Sequence, residues 1–311
     1  MGALIERIEI LCFAGSYTVA LALELARLVT TARWRSVLTI AWMVAGLLAH
    51  TVFLASRTIH GGAAPLSSAF DWYLVAAWLL AAGTLYSIWQ HPRAALPLFV
   101  LPLTLGLVAV ATFLADRQPF PVDSAVLWWG ILHGSFLLLG TIAVLIGFVA
   151  GLMYLLQASR LKRKRPVTRT FEMPSLEWLQ RTNTRAMVLA TLLLSVGLLS
   201  GSVLNLVQQR HDLALVPWSD PVVWSSCLTL VWLLVAVVFA AFYKPARMGR
   251  KVAYLTLASF LFLAFSLGVG LFFTTHGSGA SPASPDADTT TAPRDAAAAS
   301  LRLARGVEVR P

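Results

Sequence analysis

Apolar residues in this chain neither alternate with period two nor keep to one helical stripe. They come in unbroken runs of roughly 20, separated by short polar segments. The runs cover residues 8–28, 37–56, 72–89, 96–115, 127–156, 186–207, 222–242 and 252–275. A helix of about 20 residues, rising about 1.5 Å per residue, crosses the hydrocarbon of a bilayer. Each run predicts one such helix, because a helix satisfies its own backbone polar groups and lipid offers no alternative partner. The fifth run exceeds the bilayer and must tilt or project from it, and Pro97 and Pro102 are placed to kink the fourth. The prediction is an all-α fold, a polytopic transmembrane helical bundle of about eight spans, with a membrane domain over 1–276 and a tail over 277–311. No repeat of 20 to 50 residues is visible, and the two four-helix halves share no obvious motif.

Composition strengthens this picture. The chain is 58% hydrophobic and 12% charged over 311 residues, which excludes a soluble globular protein. Its net charge of +10 does not indicate nucleic acid, since Lys and Arg fall in the short segments between apolar runs. Counted by alternate segments, 16 lie on one side and four on the other before the tail. Such an excess predicts a cytoplasmic basic side and both termini outside. Residues 157–185 are expected to form a basic cytoplasmic loop. Within it Ser175 is a helix N-cap candidate, Leu176, Trp178 and Leu179 suggest an interfacial helix, and the 162–165 cluster is expected to anchor at anionic membrane lipid. Ala, Ser, Pro, Thr, Gly and Asp dominate from 277 onward, a composition that predicts a disordered outer tail. Glu6 and Glu9 precede the first run and no small-residue cleavage site follows it, so no cleavable signal is expected. Cys12 and Cys227 lie in separate runs and suggest neither a disulfide nor a redox pair.

A polar residue inside a span is costly, which makes each one a functional candidate. His50 lies within the second run, seven residues before Arg57, and His133 lies inside the fifth beside Trp128 and Trp129. His60 and His211 fall in outer segments and His276 closes the eighth run on the outer side, whereas His91 is cytoplasmic. Five of six histidines in one stratum suggest a ligand site near the outer surface, and imidazole is a common axial ligand of haem iron. Zinc is the competing metal, although no His-x-x-x-His or Cys-x-x-Cys spacing supports it. His50 has a second reading, as a packing residue hydrogen-bonded to a neighbouring span.

Trp218, Asp220 and Trp224, with Pro217 and Pro221, form an aromatic segment at the outer edge that can border a planar macrocycle. Asp220 also reads as the N-cap of the seventh span with Pro221 at its first position. Arg57 either snorkels to headgroups or binds a carboxylate such as a haem propionate. No P-loop, serine-hydrolase or zinc-protease motif occurs.

Three stretches together resemble the CcsA/HemX-type cytochrome c assembly family, multispan proteins that handle haem. The first runs from His50 and Arg57 to Pro65-Leu66-Ser67-Ser68-Ala69-Phe70-Asp71-Trp72. The second runs from Trp129-Gly130-Ile131-Leu132-His133 to Met153-Tyr154-Leu155-Leu156. The third runs from Trp218 to Trp232 and on to Thr275-His276-Gly277. The resemblance implies that His133 and His276 flank the Trp-rich segment and ligate haem iron, and that His50 is a ligand within the membrane. Val223 stands where the family carries an acidic residue and residues 239–243 hold no histidine, so the chain looks most like the short, eight-span HemX-like branch.

The resulting expectation is a bacterial-type inner-membrane protein that holds haem at the outer face and assists cytochrome c assembly, as a haem chaperone or assembly factor more than a complete haem ligase. Its partners would be an apocytochrome c or other cytochrome c assembly subunits. The alternative is a haem-free scaffold or regulator of haem biosynthesis or of a cytochrome assembly complex. A transporter is less supported, because the runs hold few polar groups and no inverted repeat.

Overall fold

The computed structural model describes residues 2–28, 34–60, 66–90, 94–120, 124–163, 173–210, 217–242 and 250–273. These form eight helices: α1 (Gly2–Ala26), α2 (Trp34–His60), α3 (Ala69–Gln90), α4 (Leu96–Phe113), α5 (Ser124–Lys162), α6 (Leu176–Arg210), α7 (Pro221–Phe242) and α8 (Arg250–Phe272). Each contains a stretch long and apolar enough to cross a membrane. The protein is therefore an all-α, multi-pass membrane protein, with one helix for each apolar run. The tail over 277–311 lies outside the described residues.

Hydropathy marks only what lipid must cover, and two helices extend well beyond it. At 39 and 35 residues, α5 and α6 are about 58 and 52 Å long. This narrows the expected 157–185 loop at both ends. Residues 157–162 continue α5 and residues 176–185 open α6, so among the described residues Leu176, Trp178 and Leu179 belong to the first turn of a spanning helix and not to a separate interfacial one. The reason is local: no Gly or Pro interrupts 176–186, so the turn that Ser175 caps runs straight into the span. Ser175 Oγ accepts from the Trp178 N–H at 3.2 Å, and Glu177 pairs with Arg181 one turn later at 2.6 Å. Leu179 is buried against Met153, Tyr154 and Ala253. In α4, Pro97 falls in the first turn, where its missing N–H costs nothing, and Pro102 is interior to a helix that continues to Phe113.

The helices form two rings of four. In the first, α1 and α3 each pack against α2 and α4; in the second, α5 and α7 each pack against α6 and α8. Contacts of α5 with α3 and α4 join the rings. The first core is built from large side chains, among them Phe13, Tyr17, Met43, Phe53, Phe70 and Leu74. The second is built around small ones, Ala143, Ala190 and Ala236 with Val144, Met187 and Leu233. Lipid supplies no hydrophobic drive for helices to associate, so close approach through small residues is what makes α5 and α6 adhere. At Gly140 and Gly197 of that interface a methyl group would meet Leu194 and Leu137 at 2.8 and 2.7 Å.

Candidate functional site

His133 sits near the start of α5, at the end of the molecule that also holds the start of α3 and α7 and the last turns of α2, α4, α6 and α8. Its Nδ1 lies 2.7 Å from the carbonyl oxygen of Gly197 on α6. A carbonyl only accepts, so Nδ1 is the protonated nitrogen and Nε2 carries the lone pair. In the neutral ring this is the tautomer in which a histidine ligates a metal through Nε2, with a backbone acceptor behind it. The ring lies against Gly201, where a Cβ would fall 2.7 Å from Cε1, and Ser200 donates to the same Gly197 carbonyl at 2.7 Å. Only glycine admits the imidazole at this depth between the two helices.

His50 is placed quite differently. It is fully buried in the first ring, with its imidazole stacked on Phe13 at 4.1 Å and 3°. The Tyr17 hydroxyl lies 3.3 Å from Nδ1, while Nε2 is buried with no hydrogen-bond partner. Tyr17 in turn lies against Gly46, whose hydrogen leaves room for the phenol. The geometry is the interhelical packing bond that the sequence allowed as its second reading. As packed, Nε2 is closed off from a macrocycle, because the ring is fully buried with Phe13 stacked on its face and Tyr17 at its Nδ1 edge.

Arg57, at the last turns of α2, donates from Nε to Asp71 Oδ1 of α3 at 2.9 Å. Asp71 Oδ2 accepts from Ser68 at 2.9 Å, and the Asp71 N–H donates to Ser68 Oγ, which caps α3. The guanidinium carbons of Arg57 and Arg117 each lie 4.8 Å from the centroid of the Phe70 ring. Leu66 enters this corner with φ of 59°, a left-handed conformation unusual for a leucine. The next residue but five, Trp72, packs on Gly134 of α5, one residue after His133. The His50–Arg57 stretch and the His133 stretch are thus joined through Trp72.

Asp220 is the N-cap of α7. Its Oδ1 accepts from the Val222 N–H at 2.7 Å, and Pro221 occupies the first helical position. Trp218 and Trp224 are 64% and 68% exposed, so they present aromatic surface outward and contribute little to the core. A Cβ at Gly270, near the end of α8, would fall 3.6 Å from the Val222 side chain, so the last turns of α8 lie beside the start of α7. His276 lies outside the described residues, as do His91 and His211, and nothing is assigned to the His60 side chain.

The structure therefore brings His133, Trp218, Asp220, Trp224 and Arg57 to one end, and separates His50 from them inside the first ring. Sequence reasoning missed Tyr17, Gly197, Gly201 and Arg117. A signal for the glycines was present in the Gly197-x-x-x-Gly201 spacing, a small-residue stripe at one helix face. Among the described residues no three of His, Cys, Asp or Glu converge on a metal position. Compared with known proteins, the chain matches no family model, no curated protein and no solved structure.

Proposed function

We propose that this protein sits in a bacterial-type inner membrane, holds haem at its outer face and assists cytochrome c assembly by passing haem to an apocytochrome. The single observation that supports this best is the His133 tautomer, fixed by the Gly197 carbonyl so that Nε2 is the ligand nitrogen. In this reading the His133 end is the outer one. His133 and His276 hold the iron, Trp218 and Trp224 border the ring, Asp220 fixes the turn that carries them, and Arg57 faces a propionate. Haem supplies the vinyl groups and iron that the apocytochrome's Cys-x-x-Cys-His site takes up, and the reactive thiols belong to that substrate. Cys12 and Cys227 lie at the outward-facing helix surface and are placed for no such role. His50 stays outside the ligand set while the first ring remains packed.

The test is a visible absorption spectrum with a pyridine haemochrome assay on detergent-purified protein, beside the His133→Ala/His276→Ala double variant. Near-stoichiometric haem in the parent, lost in the variant, is the expected result. An unchanged Soret band in the variant removes the ligand assignment. Absence of haem in the parent, before and after titration with haem, overturns the proposal and leaves the scaffold or regulator reading, which a specific protein partner retained by the purified chain would then support.

A further inference from the structure

At the end of the molecule opposite His133, the corner where α1 meets α2 and α4 carries more positive charge than the described residues balance. Glu24 and Arg27 close the last turns of α1, with Arg27 Nη1 donating to Glu24 Oε2 at 3.2 Å and to the Ala94 carbonyl at 3.2 Å. Arg35, the second residue of α2, is 94% buried by its 6% exposure, and its Nε and Nη1 have no hydrogen-bond partner. Glu24 lies within electrostatic reach of Arg35, but its carboxylate is already bonded to Arg27. One carboxylate thus stands against two guanidiniums. Of the other described acids, Glu177 is paired with Arg181, and Glu9, Asp71, Asp116 and Asp220 belong to the other end.

A guanidinium taken out of water with two of its nitrogens unpaired is among the costliest arrangements a fold can hold. Folding tolerates it where an anion completes the site. Arg35 also sits in the first turn of α2, where unpaired backbone N–H groups and the helix macrodipole favour a negative group. The adjacent Trp34 is 61% exposed at the start of the apolar span, the position of an interfacial aromatic. The depth is that of a phospholipid headgroup.

We propose that Arg35, together with Arg27 and the N-terminus of α2, binds a tetrahedral phosphate group, supplied by the headgroup of an anionic phospholipid. The guanidinium offers paired N–H donors that match two phosphate oxygens, Nε with Nη2 or Nη1 with Nη2, which a lysine at the same position does not. This site is independent of the haem reading, lies at the opposite end and stands or falls separately.

The test measures thermal unfolding of the full chain in dodecyl maltoside with phosphatidylglycerol, with diacylglycerol of the same acyl chains, or with inorganic phosphate. Phosphatidylglycerol is expected to raise the Tm of the parent and of Arg181→Gln by several degrees and to leave Arg35→Gln unmoved, while diacylglycerol moves none of them. A shift with inorganic phosphate alone, lost in Arg35→Gln, upholds the phosphate site and assigns its source to the solution. If Arg35→Gln does not fold, Arg35→Lys carries the comparison: a reduced shift supports the fork, and an undiminished one overturns it. Equal shifts in parent and Arg35→Gln, or no shift with either phosphate source, also overturn the proposal.

Discussion

The imidazole of His133 is held between two glycines of α6, hydrogen-bonded to the carbonyl of Gly197 and pressed against the Cα of Gly201. Replacement of Gly201 by Ala inserts a methyl group 2.7 Å from Cε1 into a site whose floor is backbone. The ring must leave, and with it the hydrogen bond that fixes the tautomer. Gly201→Ala is expected to cost about 1–3 kcal/mol in unfolding free energy. In a His133→Ala background the same change should cost much less, so the double-mutant cycle is non-additive. An additive cycle in thermal or denaturant unfolding would show that the ring does not rest on Gly201. Gly201→Ala should also weaken the Soret band of haem-loaded protein while leaving His133 in the sequence.

Tyr17 and His50 make the corresponding test in the first ring. Tyr17→Phe leaves the buried Nδ1 without its 3.3 Å partner and is expected to cost about 0.5–2 kcal/mol, the range of interhelical hydrogen bonds in membranes. His50→Phe removes both ring nitrogens, including the unpartnered Nε2, and keeps a flat ring to stack on Phe13. In the Tyr17→Phe background it should therefore be close to neutral. Unfolding measured on the two single variants and the double decides it, and a double variant that loses the sum of both costs contradicts the packing role.

The number of helices was legible because each span is a continuous apolar run, as in 222–242 for α7, and lipid leaves the backbone no alternative. The helix ends were not, as α5 and α6 show: past the bilayer, 157–162 and 176–185 stay helical through ordinary propensity and the Ser175 cap, to which hydropathy is blind. The cap roles of Ser175 and Asp220 were readable, since an N-cap is a local chemical pattern. His50 and His133 looked alike in sequence, each a lone histidine in an apolar run. What separates them is the neighbouring helix, Tyr17 for one and Gly197 with Gly201 for the other, and no local pattern encodes which helix that is. The paired four-helix rings were invisible for a similar reason. One core is filled by Phe and Tyr and the other by Ala and Gly, so equal connectivity leaves no common motif.

Trp218, Trp224 and Asp220 separate stability from function. Asp220→Ala removes the acceptor of the Val222 N–H and is expected to cost about 0.5–2 kcal/mol, whereas Asp220→Asn keeps an acceptor and should cost a few tenths. The exposed tryptophans do not support the core, so Trp218→Phe and Trp224→Phe should each change stability by less than about 0.5 kcal/mol. If they border haem, the ratio of Soret to protein absorbance falls in both variants while Tm holds. A fall in Tm matching the loss of haem would show instead that the turn had unfolded.

The corner between α2 and α3 depends on one carboxylate. Asp71 accepts from Arg57 Nε on one oxygen and from Ser68 on the other, while Arg57 and Arg117 both lie over Phe70. Asp71→Asn keeps the shape but removes the charge that offsets two nearby guanidiniums. With Arg57 and Asp71 side chains 29% and 13% exposed, the cost lies below that of a fully buried pair, about 1–3 kcal/mol. Arg57→Gln in the same background restores a neutral pair and should recover part of the loss, whereas Arg57→Lys in the parent keeps the charge and gives up the Nε bond to Asp71 and the guanidinium over the Phe70 ring. The ordering expected in thermal unfolding is parent above Arg57→Lys, then Arg57→Gln/Asp71→Asn above Asp71→Asn alone. If Asp71→Asn is the mildest of the three, the carboxylate is not what holds α2 to α3, and the Ser68 cap alone positions Asp71.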